Sequence, residues 1–243
     1  MCEQYNVIVE QENVTVMSSY TPLPREERGG QSEEELELSF IKQLTEQGYE
    51  YVNITSEAQM ISNLRKEIDR LNGLTLSDSE WKELFEKHIA SQNLTIEDKT
   101  NIIQRSEIIK IDIDDESPQN IKLIDKKDIH NNHLQVLNQY VPEGGAKENR
   151  YDVTILVNGL PLVHCELKKR GVPIKEAFNQ INRYERDSFW AGTGLYDYVQ
   201  LFVISNGTET KYYSNTTRFA HVAAVNKNAK KKTNDICNHN KVI

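Results

Sequence analysis

Two apolar runs flank an Asn-Gly pair in YDVTILVNGLPLVHCELKKRG, residues 151–171, and their period-two alternation commits this part of the chain to paired strands. In the first run Val153, Ile155 and Val157 share one face, with Asp152, Thr154 and Leu156 on the other. In the second, Val163, Cys165 and Leu167 make the apolar face and leave His164, Glu166 and Lys168 together opposite. Matching the apolar faces sets odd-numbered residues against odd-numbered ones. A two-residue turn at Asn158-Gly159 pairs odd with even, so the spacing predicts a three- or five-residue connection. The same register places Asp152 on the face of Glu166 and Lys168, directly opposite or diagonal.

Two carboxylates held that close repel unless a cation lies between them, and hard oxygen ligands suit Mg²⁺ bound beside a phosphate. Lys168 then stands where it can orient or help deprotonate an attacking water and offset charge on a pentacovalent phosphate. This is chemistry for phosphodiester hydrolysis, with Asp152 and Glu166 as metal ligands. The competing reading is a half-solvated strand on which the lysine simply pairs with the glutamate.

The remaining pattern is mixed α/β. Residues 1–31 hold one alternating segment, Tyr5 to Val9, and then a linker, TPLPREERGGQ. Ser32 is an N-cap for SEEELELSFIKQLTEQG, whose stripe is Leu36, Phe40, Ile41 and Leu44 and whose stop is Gly48; Tyr49 to Ile54 reads as a strand. A helical insertion spans about 56–105: SEAQMISNLRKEIDRLN, then SDSEWKELFEKHIA capped by Ser77 or Asp78, then Thr95 to Arg105. Trp81 and Phe85 read as packing residues rather than a base-stacking platform. Period two returns at Ile109, Ile111, Ile113, Ile121 and Leu123, interrupted by DDESPQN. Pro173 opens a helix from Ile174 to Ser188 with Ala177, Phe178 and Ile181 inward, and YVQLFVIS and ETKYYSN flank an Asn206-Gly207 turn. Residues 218–243 lack periodicity and read as a disordered tail.

Composition narrows the partners. A net charge of −8 excludes the broad positive field of a protein that coats nucleic acid, so DNA contact must be local, through Lys169, Arg170, Lys175 and Arg183. Those residues read equally as a solvated face. Three scattered cysteines exclude a disulfide framework and a zinc cluster, and His88, His130 and His133 lack metal-ligand spacing with cysteine or carboxylate partners. No apolar run reaches the ~20 residues of a membrane span. The expectation is a soluble, cytoplasmic protein with no membrane partner. Without a G-x-x-x-x-G-K-[ST] loop, the chain is expected not to bind ATP.

Asp152 followed by Glu166-x-Lys168 resembles the D...ExK signature of the PD-(D/E)xK nucleases. More narrowly, NRYDVTILVNGLPLVHCELKKRG followed by AFNQINRY resembles the amino-terminal endonuclease domain of the R subunit of type I restriction-modification enzymes. The likeness runs from about Gln31 to about Thr217 and takes in QGYEY, DSEW, LIDKKD and FVISNGT. It implies an α/β nuclease core with a mixed central sheet flanked by helices over 32–217. It also implies Mg²⁺-dependent cleavage of double-stranded DNA after translocation by ATP-driven helicase-like domains not in this chain. The implied partners are the methylation and specificity subunits. A first-helix glutamate is implied at the metal site, a role for Glu33 with Glu37 as competitor. A Q-x-x-x-Y motif is matched by Gln180 and Tyr184, supporting the site or meeting DNA. A chain without its motor is also compatible with an inactive binding or assembly module, or with a stand-alone nuclease.

Overall fold

A computed structural model of the chain describes residues 4–11, 14–20, 32–105, 108–111, 118–142, 150–187 and 192–215. The expected linker and carboxy-terminal tail, and Ile113, lie outside the described residues. Two compact units are present, Met1–Gln31 and Ser32–Ile243. In the first, β1 (Gln4–Gln11) pairs antiparallel with β2 (Val14–Tyr20), with a register shift between Val7 and Val9. The sequence reading had only the first of these strands.

The second unit opens with α1 (Glu33–Glu46), where Ser32 and Glu35 form a reciprocal capping box and acidic residues fill the positive end of the helix dipole. The strand expected over Tyr49 to Ile54 shrinks to β3 (Glu50–Tyr51). Val52 N–H still bonds the Val136 carbonyl at 2.9 Å, but the chain must then turn into the next cap at Ser56, so the ladder ends. The insertion follows as α2 (Glu57–Asn72), α3 (Asp78–Glu83) with a π-helical continuation over Leu84–Ile89, and α4 (Ile96–Gln104). Ser77, not Asp78, is the cap of α3, sharing a capping box with Glu80. Trp81 stacks on Phe85 with centroids 5.4 Å apart and is buried, as the packing reading expects.

A short antiparallel pair, β4 (Ile109–Ile111) and β5 (Gln119–Ile121), leads to β6 (Leu134–Tyr140), β7 (Tyr151–Val157) and β8 (Leu160–Leu167). Helix α5 (Ile174–Asp187), a 3₁₀ turn at Leu195–Tyr198, β9 (Leu201–Ser205) and β10 (Thr210–Ser214) complete it. The central sheet has the order β10-β9-β8-β7-β6-β3. It is mixed: β8 runs parallel to β9 and β3 to β6, while the remaining neighbours are antiparallel. Ile41 and Leu44 of α1 pack on Val136, Val153, Cys165 and Leu167. Met60, Leu64, Ile68 and Ile181 pack with Leu137, Leu156 and Phe202, so alternation along the strands feeds a second core. Among the described residues no helix is long and apolar enough to cross a membrane.

The three- or five-residue connection expected between β7 and β8 does not form. Val157 pairs with Leu160 across a two-residue Asn158-Gly159 turn, and the register shifts between Ile155 and Leu156, where Leu162 is the extra residue of β8. Beyond this bulge Ile155 faces Val163 and Val153 faces Cys165. The odd-to-odd pairing therefore stands, and a bulge supplies the residue that the turn does not.

The turn resists lengthening for local reasons. Asn158 and Gly159 hold φ 50° and 79°, both in the left-handed region that a tight hairpin turn of this hand needs. The Asn158 side chain is buried and accepts from His133 N–H at 2.8 Å and Arg70 at 3.1 Å. It donates to the Leu123 carbonyl at 3.0 Å and to Asn132 at 2.8 Å. A Cβ on Gly159 would lie 2.6 Å from Leu64 Cα of α2.

Candidate active site

Asp152 lies near the start of β7 and Glu166 near the end of β8, so antiparallel pairing brings both to one end of the sheet's centre. Asp152 Oδ2 accepts from the Leu167 N–H at 2.8 Å. Glu166 is fully buried. Lys168, the first residue past β8, donates from Nζ to Glu166 Oε1 and to the Leu167 carbonyl, each at 3.0 Å. At 8% exposure its ammonium is largely enclosed.

Electrostatics follow from burial. Removal from water, with the Glu166 charge adding to it, pushes the Asp152 carboxyl up to about 7. Burial likewise raises Glu166 to about 7, although the Lys168 ammonium pulls it back. Burial acts to lower Lys168, but the Glu166, Asp152 and Glu33 carboxylates outweigh it and hold the ammonium above its ordinary value. Two carboxyls that resist ionising together, beside a lysine that resists losing its proton, make a site short of positive charge.

The first helix brings both of its candidate acids here. Glu33 Oε2 is 3.7 Å from Lys168 Nζ, and Glu33 Oε1 accepts from the Lys169 N–H at 3.3 Å. Glu37, one turn onward, is buried and accepts from the side-chain amides of Asn138 and Gln139. Burial raises its carboxyl, and the Asp152 charge adds to the rise. Glu33 thus meets the lysine, whereas Glu37 answers electrostatically to Asp152.

Gln180 Nε2 donates to the Tyr184 hydroxyl, and that hydroxyl donates to the Arg150 carbonyl at 2.8 Å. Tyr184 is buried against Tyr151, with ring centroids 4.9 Å apart. The pair therefore braces the entry to β7 two residues before Asp152. Lys169, Arg170 and Lys175 are exposed, and Arg170 reaches the Gly207 carbonyl at 3.4 Å. The side chains of Arg183 and Phe178 lie outside the described ones.

Two features escaped the sequence reading. Alternation set His164 on the polar face but gave it no role; it is fully buried, with Nε2 3.6 Å from Glu166 Oε2. Burial lowers its imidazole to about 4, so the ring is neutral near pH 7. The second is a group formed by Glu50, Glu67 and His133, whose ligand atoms lie within 4.8 Å of one another. The expectation that His133 lacks carboxylate partners is thereby corrected, because tertiary folding joins residues that no local spacing relates. His133 Nδ1 is 2.9 Å from Glu67 Oε2 and Nε2 is 3.6 Å from Glu50. Arg70 Nε, at 2.8 Å, already neutralises the buried Glu67 carboxylate, and Gln135 donates to Glu50 at 2.8 Å. In that group Arg70 pairs with one of the two carboxylates, and the other, Glu50, is exposed.

The mixed six-stranded sheet with helices on both faces is a PD-(D/E)xK nuclease-type α/β core. The profile of a family described as "Type I restriction enzyme R protein N terminus" matches residues 30–221, and the chain belongs to that family. It is 42% identical over 212 residues to the type I restriction enzyme EcoprrI endonuclease subunit of Escherichia coli, covering 87% of this chain and 67% of that protein. It is also 42% identical over 194 residues to the type I restriction enzyme SauMSSORF170P endonuclease subunit of Staphylococcus aureus (strain MSSA476). That match covers 76% of this chain but 20% of the relative, so the chain spans about a fifth of the staphylococcal subunit. An archaeal relative, the putative type I restriction enzyme MjaIXP endonuclease subunit of Methanocaldococcus jannaschii, is 35% identical over 102 residues.

Proposed function

We propose that residues 32–217 form a Mg²⁺-dependent endonuclease domain that hydrolyses phosphodiester bonds of double-stranded DNA, with Asp152 and Glu166 as metal ligands. The observation that carries this reading is the enclosed carboxyl pair with Lys168 Nζ 3.0 Å from Glu166 Oε1. The donor set fits the ion: both groups offer hard oxygens, and Glu166 Oε2 is buried with no hydrogen-bond partner among the described residues. A bound Mg²⁺ would neutralise the pair and lower the pKa of a coordinated water.

The chain's own groups have distinct tasks. Leu167 N–H fixes one Asp152 oxygen. Lys168, whose ammonium its carboxylate neighbours hold above its ordinary value in the metal-free site, is a donor to a phosphate oxygen or an orienter of water. Glu33 restrains that ammonium from the α1 side. Gln180 and Tyr184 hold the start of β7 in place through the Arg150 carbonyl. Lys169, Arg170 and Arg183 are assigned to the DNA backbone, as the local positive charge of an acidic chain.

In the complete subunit, translocation and ATP use belong to further domains, and the methylation and specificity subunits are the partners; this chain itself takes no ATP. A second reading is a folded binding or assembly domain with no cleavage of its own. Nicking of supercoiled plasmid with Mg²⁺, by the wild type and by Lys168→Ala, separates the two. Loss of nicking in the variant supports the nuclease centre. Equal backgrounds for both proteins remove autonomous activity, and cutting restored by adding the motor-bearing subunit then assigns the domain role.

A further inference from the structure

The helical insertion holds one short turn, Gly192–Tyr198, at three points. Lys99 of α4 is 3% exposed, and its Nζ donates to Asp197 Oδ2 at 2.8 Å and to the Gly194 carbonyl at 2.9 Å. The same ammonium lies 5.6 Å above the Tyr198 ring, whose hydroxyl donates to the Ile89 carbonyl at 3.0 Å. From α2, Glu57 Oε1 accepts from Thr193 N–H at 2.5 Å and from its hydroxyl at 2.7 Å. Gly194 has φ 67°, and a Cβ there would lie 2.9 Å from both Lys99 Nζ and Asp197 Oδ2. The turn is built around the ion pair, with no room for a side chain at that position.

The other side of the turn meets β7. The Tyr196 hydroxyl and Thr154 Oγ1 are 3.1 Å apart, and the Tyr196 ring packs edge-on to Tyr151 with centroids 4.6 Å apart. Its opposite contact is a stack on Tyr140 at 5.4 Å. Tyr151 and Thr154 bracket Asp152 along the strand, and Tyr151, Thr154 and Tyr196 are all buried. Close-packed interiors transmit small displacements instead of absorbing them. A shift of the turn is therefore passed to the side chains of Tyr151 and Thr154, on either side of Asp152.

We propose that Lys99 and Asp197 are positioning residues for the nuclease centre: their buried ion pair fixes the Gly192–Tyr198 turn, and Tyr196 then sets the seat of Asp152. This rests on the metal-site reading above. Breaking a merely structural ion pair would lower thermal stability, because it strands an uncompensated buried charge, and would leave the folded site unchanged. Two readouts on the full 243-residue chain distinguish the roles. One is amide hydrogen exchange at Leu167, whose N–H is bonded to Asp152 Oδ2 and needs no metal to report. The other is Mn²⁺ affinity by calorimetric titration.

Lys99→Met is expected to speed Leu167 exchange about tenfold while amides of β6 keep their protection, and to weaken Mn²⁺ binding about tenfold. Lys99→Arg should recover most of both. Tyr196→Phe, which deletes only the hydroxyl facing Thr154, keeps the test open if Lys99→Met fails to fold; it should shift both readouts the same way by about threefold. Unchanged Leu167 exchange in folded Lys99→Met or Tyr196→Phe would overturn the proposal. Absence of Mn²⁺ binding by the wild type would overturn the metal-site reading instead, and the exchange data would still decide the positioning role.

Discussion

Replacing Asp152 by Asn should stabilise the metal-free protein while disabling its site. The Asp152 carboxyl stands at about 7 in the fold against an ordinary value of 3.8. At roughly 1.4 kcal/mol per decade, ionising it in place costs about 4 kcal/mol. Part of that cost is shared with Glu166, and Lys168 loses one favourable neighbour in the variant, so about 2 kcal/mol is the expected net gain at pH 8. The amide loses little else: its oxygen can still accept from Leu167 N–H, and its NH₂ can face Glu166.

The pH dependence has a definite sign. Below 3.8 the group is protonated in both folded and unfolded chains, and it makes no difference to stability. Between 3.8 and about 7 the unfolded chain ionises while the folded one keeps its proton, so the wild type loses stability relative to Asp152→Asn. Above about 7 the penalty is complete. Urea unfolding in EDTA from pH 4 to pH 8.5 measures this: the two midpoints should nearly coincide at pH 4 and diverge up to about pH 7. A wild type more stable than the variant at pH 8, or a difference independent of pH, would refute the reasoning.

Added Mn²⁺ should stabilise the wild type in proportion to its binding and leave Asp152→Asn unmoved, which a thermal-shift titration reads directly. Its apparent affinity should rise from pH 5.5 to pH 8 as the ion displaces protons from Asp152 and Glu166, and buffers of different ionisation enthalpy will reveal that release in calorimetry. Gly159→Ala should cost about 3 kcal/mol in chemical denaturation, since the new Cβ meets the backbone of α2 at a positive φ. Deleting Leu162 removes the bulge but preserves the pairing of Val153 with Cys165, so metal affinity should change less than about threefold while stability falls by about 1–2 kcal/mol of lost apolar burial. Abolished binding in that deletion would contradict the bulge as the source of the register.

Alternation made the central strands and their polar face legible, because period two assigns each residue to a side whatever the connection. It did not reveal how the register is achieved: a turn length was inferred where a bulge at Leu162 does the work, and bulges leave no mark in hydrophobic spacing. Capping residues identified the helix start at Ser32 and narrowed that of α3 to Ser77 or Asp78, since the cap side chain bonds a backbone N–H that the helix cannot satisfy itself. The two-residue β3 illustrates the converse. Glu50 and Tyr51 are held by β6, far along the chain, and nothing in Tyr49 to Ile54 says where that pairing stops.

The same distinction divides the candidate site. Glu166 and Lys168 are two residues apart at the end of β8, and Asp152 is related to them by a single hairpin, so local pattern could gather all three. Glu37, His133 and Lys99 acquire their partners from elements 66 to 102 residues away, through packing that a linear reading does not contain. Gln180 and Tyr184 show a middle case: their helical spacing was plain, but only the fold shows that the tyrosine hydroxyl turns inward to Arg150.

The central claim is that the divalent ion belongs to Asp152 and Glu166. Crystals soaked in Mn²⁺ and measured at the manganese absorption edge test it most directly. An anomalous peak bridging the Asp152 and Glu166 carboxylates, absent in Asp152→Asn, is the expected result. A peak confined to Glu50, Glu67 and His133, with none between Asp152 and Glu166, would contradict it.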